Sequence, residues 1–444
     1  MASSHTASPS CHWFSRLAAA LDSRSASRLV PLLLGALLAR GRRTITSWIR
    51  VAGLGGDYRQ CYATVAAAGK RSDAVAARLL TSAVKPLVAR DGRLTLALDD
   101  TPTPRFGPHV QGAGVHHNPT PGPAGSAFVY GHVWVVLGLL VRHAAWGVTA
   151  LPLLARLYVR KIDLPKIDAR HRPAFRTKLE FAVELMTWAV SWLEYWGKPL
   201  WVAVDGAYAK AAFLKPMRTL GVTVVSRLRK DSALSTRPGP RRAGQRGPAR
   251  QYGMERISLA KRGGQKRGWT RATFDLYGQP TEKAYKTFVA TWRPAGGAIR
   301  VVLVDEPKGW VAFFCSDPDA SVTDVLETVA QRFSLETAFR DVKEIVGAGQ
   351  QQVRSVRANV GAFHMCLWTF VMTEAWAWTR GESELVGHRG ASPWDLEMRR
   401  PSHADKRRAW KREMLGEEIR AALRAGANEA AIADTTERLL NLAA

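Results

Sequence analysis

The sequence predicts an α/β protein, and two regions of contrasting pattern support this prediction. Residues 93–228 alternate between short apolar strands and amphipathic helices, and the strands "RLTLALDD" and "KPLWVAVD" each end in an acid. Residues 229–320 instead carry β-type segments after basic loops rich in Gly and Pro. Strands that alternate with helices are typical of a partly parallel sheet covered by helices. We therefore expect an α/β core interrupted by a β-rich insertion.

Helical patterns flank this core on both sides. The N-terminal region has short helices joined by Gly-containing turns, and Ser72 is a candidate N-cap. Such a unit fits a helix-turn-helix DNA-binding domain or a plain helical bundle equally well. The C-terminal tail is basic, and we expect it to be helical and loosely attached. The predicted segments are 1–90 (helical), 91–228 (first part of the core), 229–320 (β-rich insertion), 321–385 (second part of the core) and 386–444 (helical tail).

The composition is that of a folded protein with a polyanionic partner. The 444 residues include 64 Lys and Arg against 37 Asp and Glu, a formal net charge of +27. Such an excess favours nucleic acid over an acidic metabolite. The four cysteines are far apart and form no Cys-x-x-Cys pair, which indicates reduced thiols. We expect no membrane span, because the longest apolar stretch contains His132, Arg142 and His143, and we predict a cytoplasmic location.

Three carboxylates stand out as candidate metal ligands. Asp99 and Asp205 end two buried strands, and Glu336 lies on a later amphipathic helix. Acids that converge at the ends of strands repel one another unless a cation binds between them, and hard oxygen ligands favour Mg²⁺ or Mn²⁺. Two such ions about 4 Å apart suit in-line phosphoryl displacement. Each acid alone is as readily a turn or capping residue.

The helix segment "RFSLETAFRDVK" places three bases on the same stripe as Glu336. With about 100° per residue, Arg332, Arg340 and Lys343 fall close to it on the helical wheel. In an isolated helix, this pattern would indicate a solvated face with i,i+4 ion pairs. Beside a metal site, the same bases could hold the phosphate backbone of DNA.

The ordered set "LALDDT", "VAVDGAY" and "RFSLETAFRDVK" resembles the DDE transposases of bacterial insertion sequences. One branch of that family carries a Tyr-Arg-Glu-Lys signature, in which Arg, Glu and Lys have the spacing of Arg332, Glu336 and Lys343. The signature Tyr falls at Val329, which departs from the pattern. The resemblance implies an RNase H-like core with a β-rich insertion. It also selects Asp99 over Asp100 as the ligand, because the family pattern often places Ser or Thr two residues after the Asp.

The resemblance further implies a function. We expect metal-dependent cleavage and strand transfer at the ends of an insertion sequence, with two Mg²⁺ ions, or Mn²⁺ in their place, held by Asp99, Asp205 and Glu336. The implied partners are double-stranded DNA (terminal repeats and target) and a second copy of the chain on that DNA, in the bacterial nucleoid. The alternatives are an RNase H-like nuclease without strand joining and a catalytically inactive DNA-binding derivative.

Overall fold

The computed structural model describes residues 12–118, 125–241, 246–389 and 400–422, together with a few positions beyond 428. The helices are α1 (His12–Ala18), α2 (Ser23–Leu38), α3 (Ile45–Val51), α4 (Tyr58–Lys70), α5 (Ser72–Leu79), α6 (Lys178–Leu193), α7 (Ala211–Thr219), α8 (Leu259–Gly264), α9 (Val322–Asp341), α10 (Val356–Ala377), α11 (Glu382–Val386) and α12 (His403–Ala422). The strands are β1 (Leu94–Pro104), β2 (Gly114–His117), β3 (Phe128–His143), β4 (Gly147–Tyr158), β5 (Leu200–Val204), β6 (Thr223–Leu228), β7 (Leu234–Ser235), β8 (Arg256–Ile257), β9 (Thr270–Leu276), β10 (Gln279–Trp292), β11 (Gly297–Val304) and β12 (Val311–Cys315).

A mixed sheet forms the centre of the molecule, and β1 lies within it. On one side β1 pairs antiparallel with β3, which in turn pairs with β4. On the other side β1 runs parallel to β5, and β5 runs parallel to β6. These strands are almost continuously apolar because helices cover them, and buried strands of this kind do not alternate in polarity. The predicted mixed α/β class is confirmed.

The β-type segments of residues 229–320 form strands, but they do not make a separate sheet. Within the described residues, β12 pairs antiparallel with β6, and β11 and β10 continue the same twelve-stranded sheet. The hairpin of β9 and β10 turns at Tyr277 and Gly278, both of which have positive φ. Two short strands and α8 lie among the basic loops, of which residues 242–245 fall outside the described part of the chain. The segment therefore extends the core sheet, and its boundaries remain predictions.

The N-terminal helices pack against the core through a close contact of α4 with α10. At Gly361 of α10, a Cβ atom would lie 1.8 Å from the carbonyl oxygen of Val65 in α4. At Gly69 of α4, a Cβ atom would lie 2.0 Å from the carbonyl oxygen of Arg357. Only glycine lets the two backbones approach so closely. Helix α4 is therefore held tightly against α10.

We expect Gly361→Ala to destabilise the protein by about 1–3 kcal/mol, because α4 and α10 must separate to admit the added methyl group. Gly55→Ala is the matched control, since a Cβ atom at Gly55 meets nothing within 4 Å and its φ is not positive. Urea unfolding followed by circular dichroism would measure both variants. Equal stability of Gly361→Ala and Gly55→Ala would show that the helices are not so close.

The C-terminal tail is not loosely attached where the structure describes it. Trp410 of α12 is fully buried and stacks on Trp376 of α10. The ammonium group of Lys406 lies 2.6 Å from the carboxylate of Glu374, also in α10. Burial alone would raise the pKa of Glu374, but Lys406 and a hydrogen bond with His403 outweigh it and lower the pKa to about 2. The expected loose attachment is therefore wrong for α12. A basic composition is typical of an exposed segment and does not indicate that Lys406 is buried in an ion pair.

The structure also bears on Ser72, on the cysteines and on membrane spans. Ser72 is the first residue of α5 and not its N-cap, which is Arg71. Cys61, Cys315 and Cys366 are free and buried, whereas Cys11 lies outside the described residues. Among the residues that the structure describes, no helix has both the length and the apolar character needed to cross a membrane.

Candidate active site

Two of the candidate carboxylates lie side by side because their strands are parallel neighbours. Leu98 of β1 is in register with Val204 of β5. Asp99 is the next residue of β1, and Asp205 directly follows the last residue of β5. Adjacent strands are about 4.8 Å apart. Asp205 also caps the 3-10 turn that follows β5, where its carboxylate accepts a hydrogen bond of 3.0 Å from the backbone N–H of Ala207. This part of the predicted site follows directly from strand register.

The third carboxylate reaches the site because α9 is anchored along the same sheet. Ser321 caps α9, and Asp324 in its first turn forms an ion pair with Arg93, which precedes β1. Arg93 also lies over the ring of Trp201 in β5. From this anchor, α9 packs along β1, β3, β4 and β5. Glu336 therefore projects near the strand ends, with its side chain 43% exposed.

Arg332 links the carboxylates of Asp99 and Glu336. One terminal nitrogen of its guanidinium donates to Asp99, and the other donates to Glu336 at 2.9 Å. Burial raises the pKa of Asp99 to about 6, against the opposing effect of Arg332, and the charges of Asp100 and Asp205 raise it further. Asp205 also favours the charged form of Arg332. The three acids thus share one electrostatic site, with a guanidinium as the present counter-cation.

Asp100 has different partners from its neighbour, as expected for consecutive residues of a strand. Its carboxylate lies 2.6 Å from the ammonium group of Lys178 in α6 and accepts a hydrogen bond of 3.2 Å from the hydroxyl of Tyr208. Tyr208 is almost fully buried, and burial together with the nearby carboxylates raises its pKa. The charge of Asp100 is therefore balanced by Lys178, and Asp100 does not take part in the contacts of Arg332 with Asp99 and Glu336.

The other two bases of the stripe, Lys343 and Arg340, form no ion pair with Glu336 and have separate partners. Lys343 lies in a π-helical turn after α9 (Val342–Val346) and donates to the hydroxyl of Thr101 at 3.2 Å. Such turns are frequent at functional sites because they reorient side chains. Burial lowers the pKa of Lys343. Arg340 is exposed and pairs with Asp341 at 3.3 Å.

The candidate ligands of a divalent cation are the carboxylates of Asp99, Asp205 and Glu336. In the present arrangement of the described residues, no group of three or more His, Cys, Asp or Glu side chains could hold a metal ion. At this site the guanidinium of Arg332 binds the carboxylates of both Asp99 and Glu336. A positive charge already balances these acids, and oxygen-only ligands suit Mg²⁺ or Mn²⁺. The residues therefore fit such an ion if Arg332 releases both carboxylates.

Two buried histidines, His132 and His116, are not part of this site. His132 is fully buried, where it accepts a hydrogen bond from Arg105 and donates one to the carbonyl of Gln111. His116 packs near Tyr158 and is almost fully buried. Sequence reasoning missed Lys178 as the partner of Asp100, and the only signal was its position at the start of an amphipathic helix.

The fold and this site define a class of protein: an α/β enzyme whose carboxylates cluster at adjacent strand ends. A model of the family described as DDE superfamily endonuclease matches residues 16–294, which is more than half of the chain. The chain therefore belongs to this family, whose members act on DNA as nucleases or transposases. The matched range includes Asp99 and Asp205 but ends before Glu336. No curated protein matches the chain.

Proposed function

We propose that the chain is an insertion-sequence transposase that cleaves DNA at the ends of its element and joins them to a target. The observation that supports this most strongly is the meeting of Asp99 and Glu336 on one guanidinium, next to Asp205. The strand order β4-β3-β1-β5-β6, three antiparallel strands followed by two parallel ones, supports an RNase H-like core. The spacing of Arg332, Glu336 and Lys343 supports the branch with the Tyr-Arg-Glu-Lys signature.

The proposed metal ligands are Asp99, Asp205 and Glu336. Bound Mg²⁺ or Mn²⁺ would supply activation of the attacking oxygen and stabilisation of the leaving oxygen. The chain's own residues do the remaining work. Asp99 and Asp205 are positioned by strand register. The side chain of Glu336 is 43% exposed, which leaves it space to move away from Arg332. Once free, the guanidinium of Arg332 can bind a DNA phosphate in a bidentate manner.

Lys343 and Arg340 are proposed to contact the phosphate backbone beside the acids. The link of Lys343 to Thr101 supports this assignment, because Thr101 lies two residues from Asp99 and on the same face of β1. Arg340 is exposed and so is accessible to DNA, although it belongs to the flank of α9. Joining two element ends requires two active sites, and we therefore propose a homodimer assembled on DNA.

The test is cleavage of DNA taken from both flanks of the gene. With Mg²⁺ or Mn²⁺, we expect nicks at the element ends and covalent joining of labelled ends to a supercoiled plasmid, and we expect neither product in EDTA. Cleavage without joined products would support a nuclease without strand transfer. Salt-sensitive binding without cleavage would support an inactive derivative. Full cleavage in EDTA would contradict the proposed metal dependence.

A further inference from the structure

A cavity lined by basic side chains lies at the C-terminal end of β1, beyond the carboxylates. This cavity of about 470 Å³ opens between the loop after β1 and the loop 347–354 that follows α9. Arg42, Arg105, His109 and Arg354 contribute to its wall, and no Asp or Glu is among the described residues that line it. A cavity with this lining attracts an anion.

Arg105 is a buried residue of this cavity that hydrogen bonds hold in place, and not one of several surface bases that happen to lie close together. It is 5% exposed, and it donates to the carbonyl oxygens of Gly349 at 3.0 Å and Gln351 at 2.6 Å and to the imidazole of His132 at 3.0 Å. Its remaining terminal nitrogen is buried and has no partner among the described residues. Burial lowers the pKa of Arg105 to about 10, so it stays charged at neutral pH.

No carboxylate of the described chain neutralises this guanidinium. Arg105 forms no ion pair there, and its protein partners are two carbonyls and a neutral imidazole, since burial lowers the pKa of His132 to about 3. A buried charge without a counter-ion is costly. An anion held in the cavity would offset that cost.

The cavity and Asp99 lie towards opposite ends of one face of β1, and the residues between them are buried. Asp99, Thr101, Thr103 and Arg105 alternate onto that face. Lys343 donates to Thr101, and Gly349 lies so close to β1 that a Cβ atom there would be 3.2 Å from the Cβ atom of Thr103. Six residues of extended chain span roughly 20 Å. Along the axis of a DNA duplex, each strand has a phosphate about every 3.4 Å, so about six nucleotides of a duplex lying parallel to β1 cover this distance.

We propose that this cavity binds a backbone phosphate of the DNA that passes Asp99, about six nucleotides from the cleaved bond. The assignment rests on the proposed function for the location of that bond, but not for binding itself. DNA is favoured over a small free anion by Phe106. This ring lines the cavity, is 78% exposed, and can pack on a sugar or base that a free anion lacks.

The experiment measures the salt dependence of binding to a 30-base-pair duplex in EDTA, by fluorescence anisotropy between about 50 and 300 mM salt. The slope of log affinity against log salt changes by about 0.9 for each phosphate neutralised. We expect Arg42→Gln/Arg354→Gln to reduce the slope by about one to two and to weaken binding roughly tenfold at low salt. Both side chains are exposed, so the substitutions should not disturb folding.

Arg78→Gln/Arg90→Gln is the matched control. Both arginines are exposed and form no ion pair in the described residues, and Arg90 precedes β1 at its opposite end. This control should leave the slope nearly unchanged. A similar loss in both double variants, or in neither, would overturn the proposal, because the slope would then report only total charge or other contacts.

Two further arms separate DNA from a small anion. Phe106→Ala should weaken DNA binding without changing the salt slope. If instead millimolar phosphate raises the melting temperature of the unsubstituted protein, and Arg42→Gln/Arg354→Gln abolishes that rise but leaves the DNA slope unchanged, the cavity holds a free anion and the DNA assignment is wrong. Because EDTA prevents metal-dependent cleavage, a failure of the proposed catalytic function would not affect these outcomes.

Discussion

Glu336→Gln is expected to reduce cleavage roughly a thousandfold or more while the protein stays folded. The substitution keeps the shape and helix propensity of the side chain but removes the charge that a divalent cation requires. Its structural cost is small. The side chain is 43% exposed and loses one ion pair with Arg332, about 0.5 kcal/mol.

The control for this variant lies on the same helix. Glu327→Gln changes an acid nine residues earlier in α9, whose carboxylate accepts a long hydrogen bond of 3.4 Å from the backbone of Asp275. Glutamine can still accept that bond, so cleavage should be unchanged. Folding is checked by circular dichroism, and cleavage is assayed on labelled flanking DNA with Mg²⁺. Near-normal cleavage by a folded Glu336→Gln protein would show that Glu336 is not a metal ligand and that "RFSLETAFRDVK" is a solvated helix with surface ion pairs.

Asp99→Asn and Asp100→Asn are expected to have opposite consequences although the residues are neighbours. Asp99→Asn should lower cleavage by orders of magnitude, because Asp99 lies beside Asp205 and shares Arg332 with Glu336. Asp100→Asn should leave most cleavage intact but lower stability by about 1 kcal/mol, because its carboxylate is the partner of Lys178.

Each of these two variants needs both measurements, cleavage rate and urea unfolding. The informative result is the contrast, since a general loss of stability would affect cleavage in both proteins alike. If Asp100→Asn abolished cleavage in a protein of normal stability while Asp99→Asn remained active, the register argument that selects Asp99 would be wrong.

Parts of the candidate site could be predicted from short sequence patterns. Two buried strands that each end in an acid predict neighbouring carboxylates once the strands are parallel, and the register of Leu98 with Val204 shows how this arises. The spacing of Arg332 and Glu336 likewise follows from one helical turn, and their ion pair is observed. What the spacing did not predict is that Arg332 also binds Asp99, because that contact joins residues 233 positions apart.

Other features depend on long-range packing, which leaves little trace in one sequence. The approach of Gly361 to Val65 requires two helices that lie far apart in the chain. The burial of Lys406 could not be predicted from the sequence, because a lysine in a basic segment is normally a surface residue. The strands of residues 229–320 were recognisable from their composition, but composition does not specify which strand pairs with β6. Partner choice in a sheet depends on contacts that only the folded chain supplies.

The central claim is that Asp99, Asp205 and Glu336 bind a divalent cation in place of the guanidinium of Arg332. Crystals of the protein with DNA, grown in Mn²⁺ and measured near the manganese absorption edge, test it most directly. We predict anomalous density within about 2.1–2.2 Å of carboxylate oxygens from all three residues, with Arg332 displaced towards a phosphate. Arg332 still bound to Asp99 and Glu336, with manganese elsewhere or absent from this site, would contradict the claim.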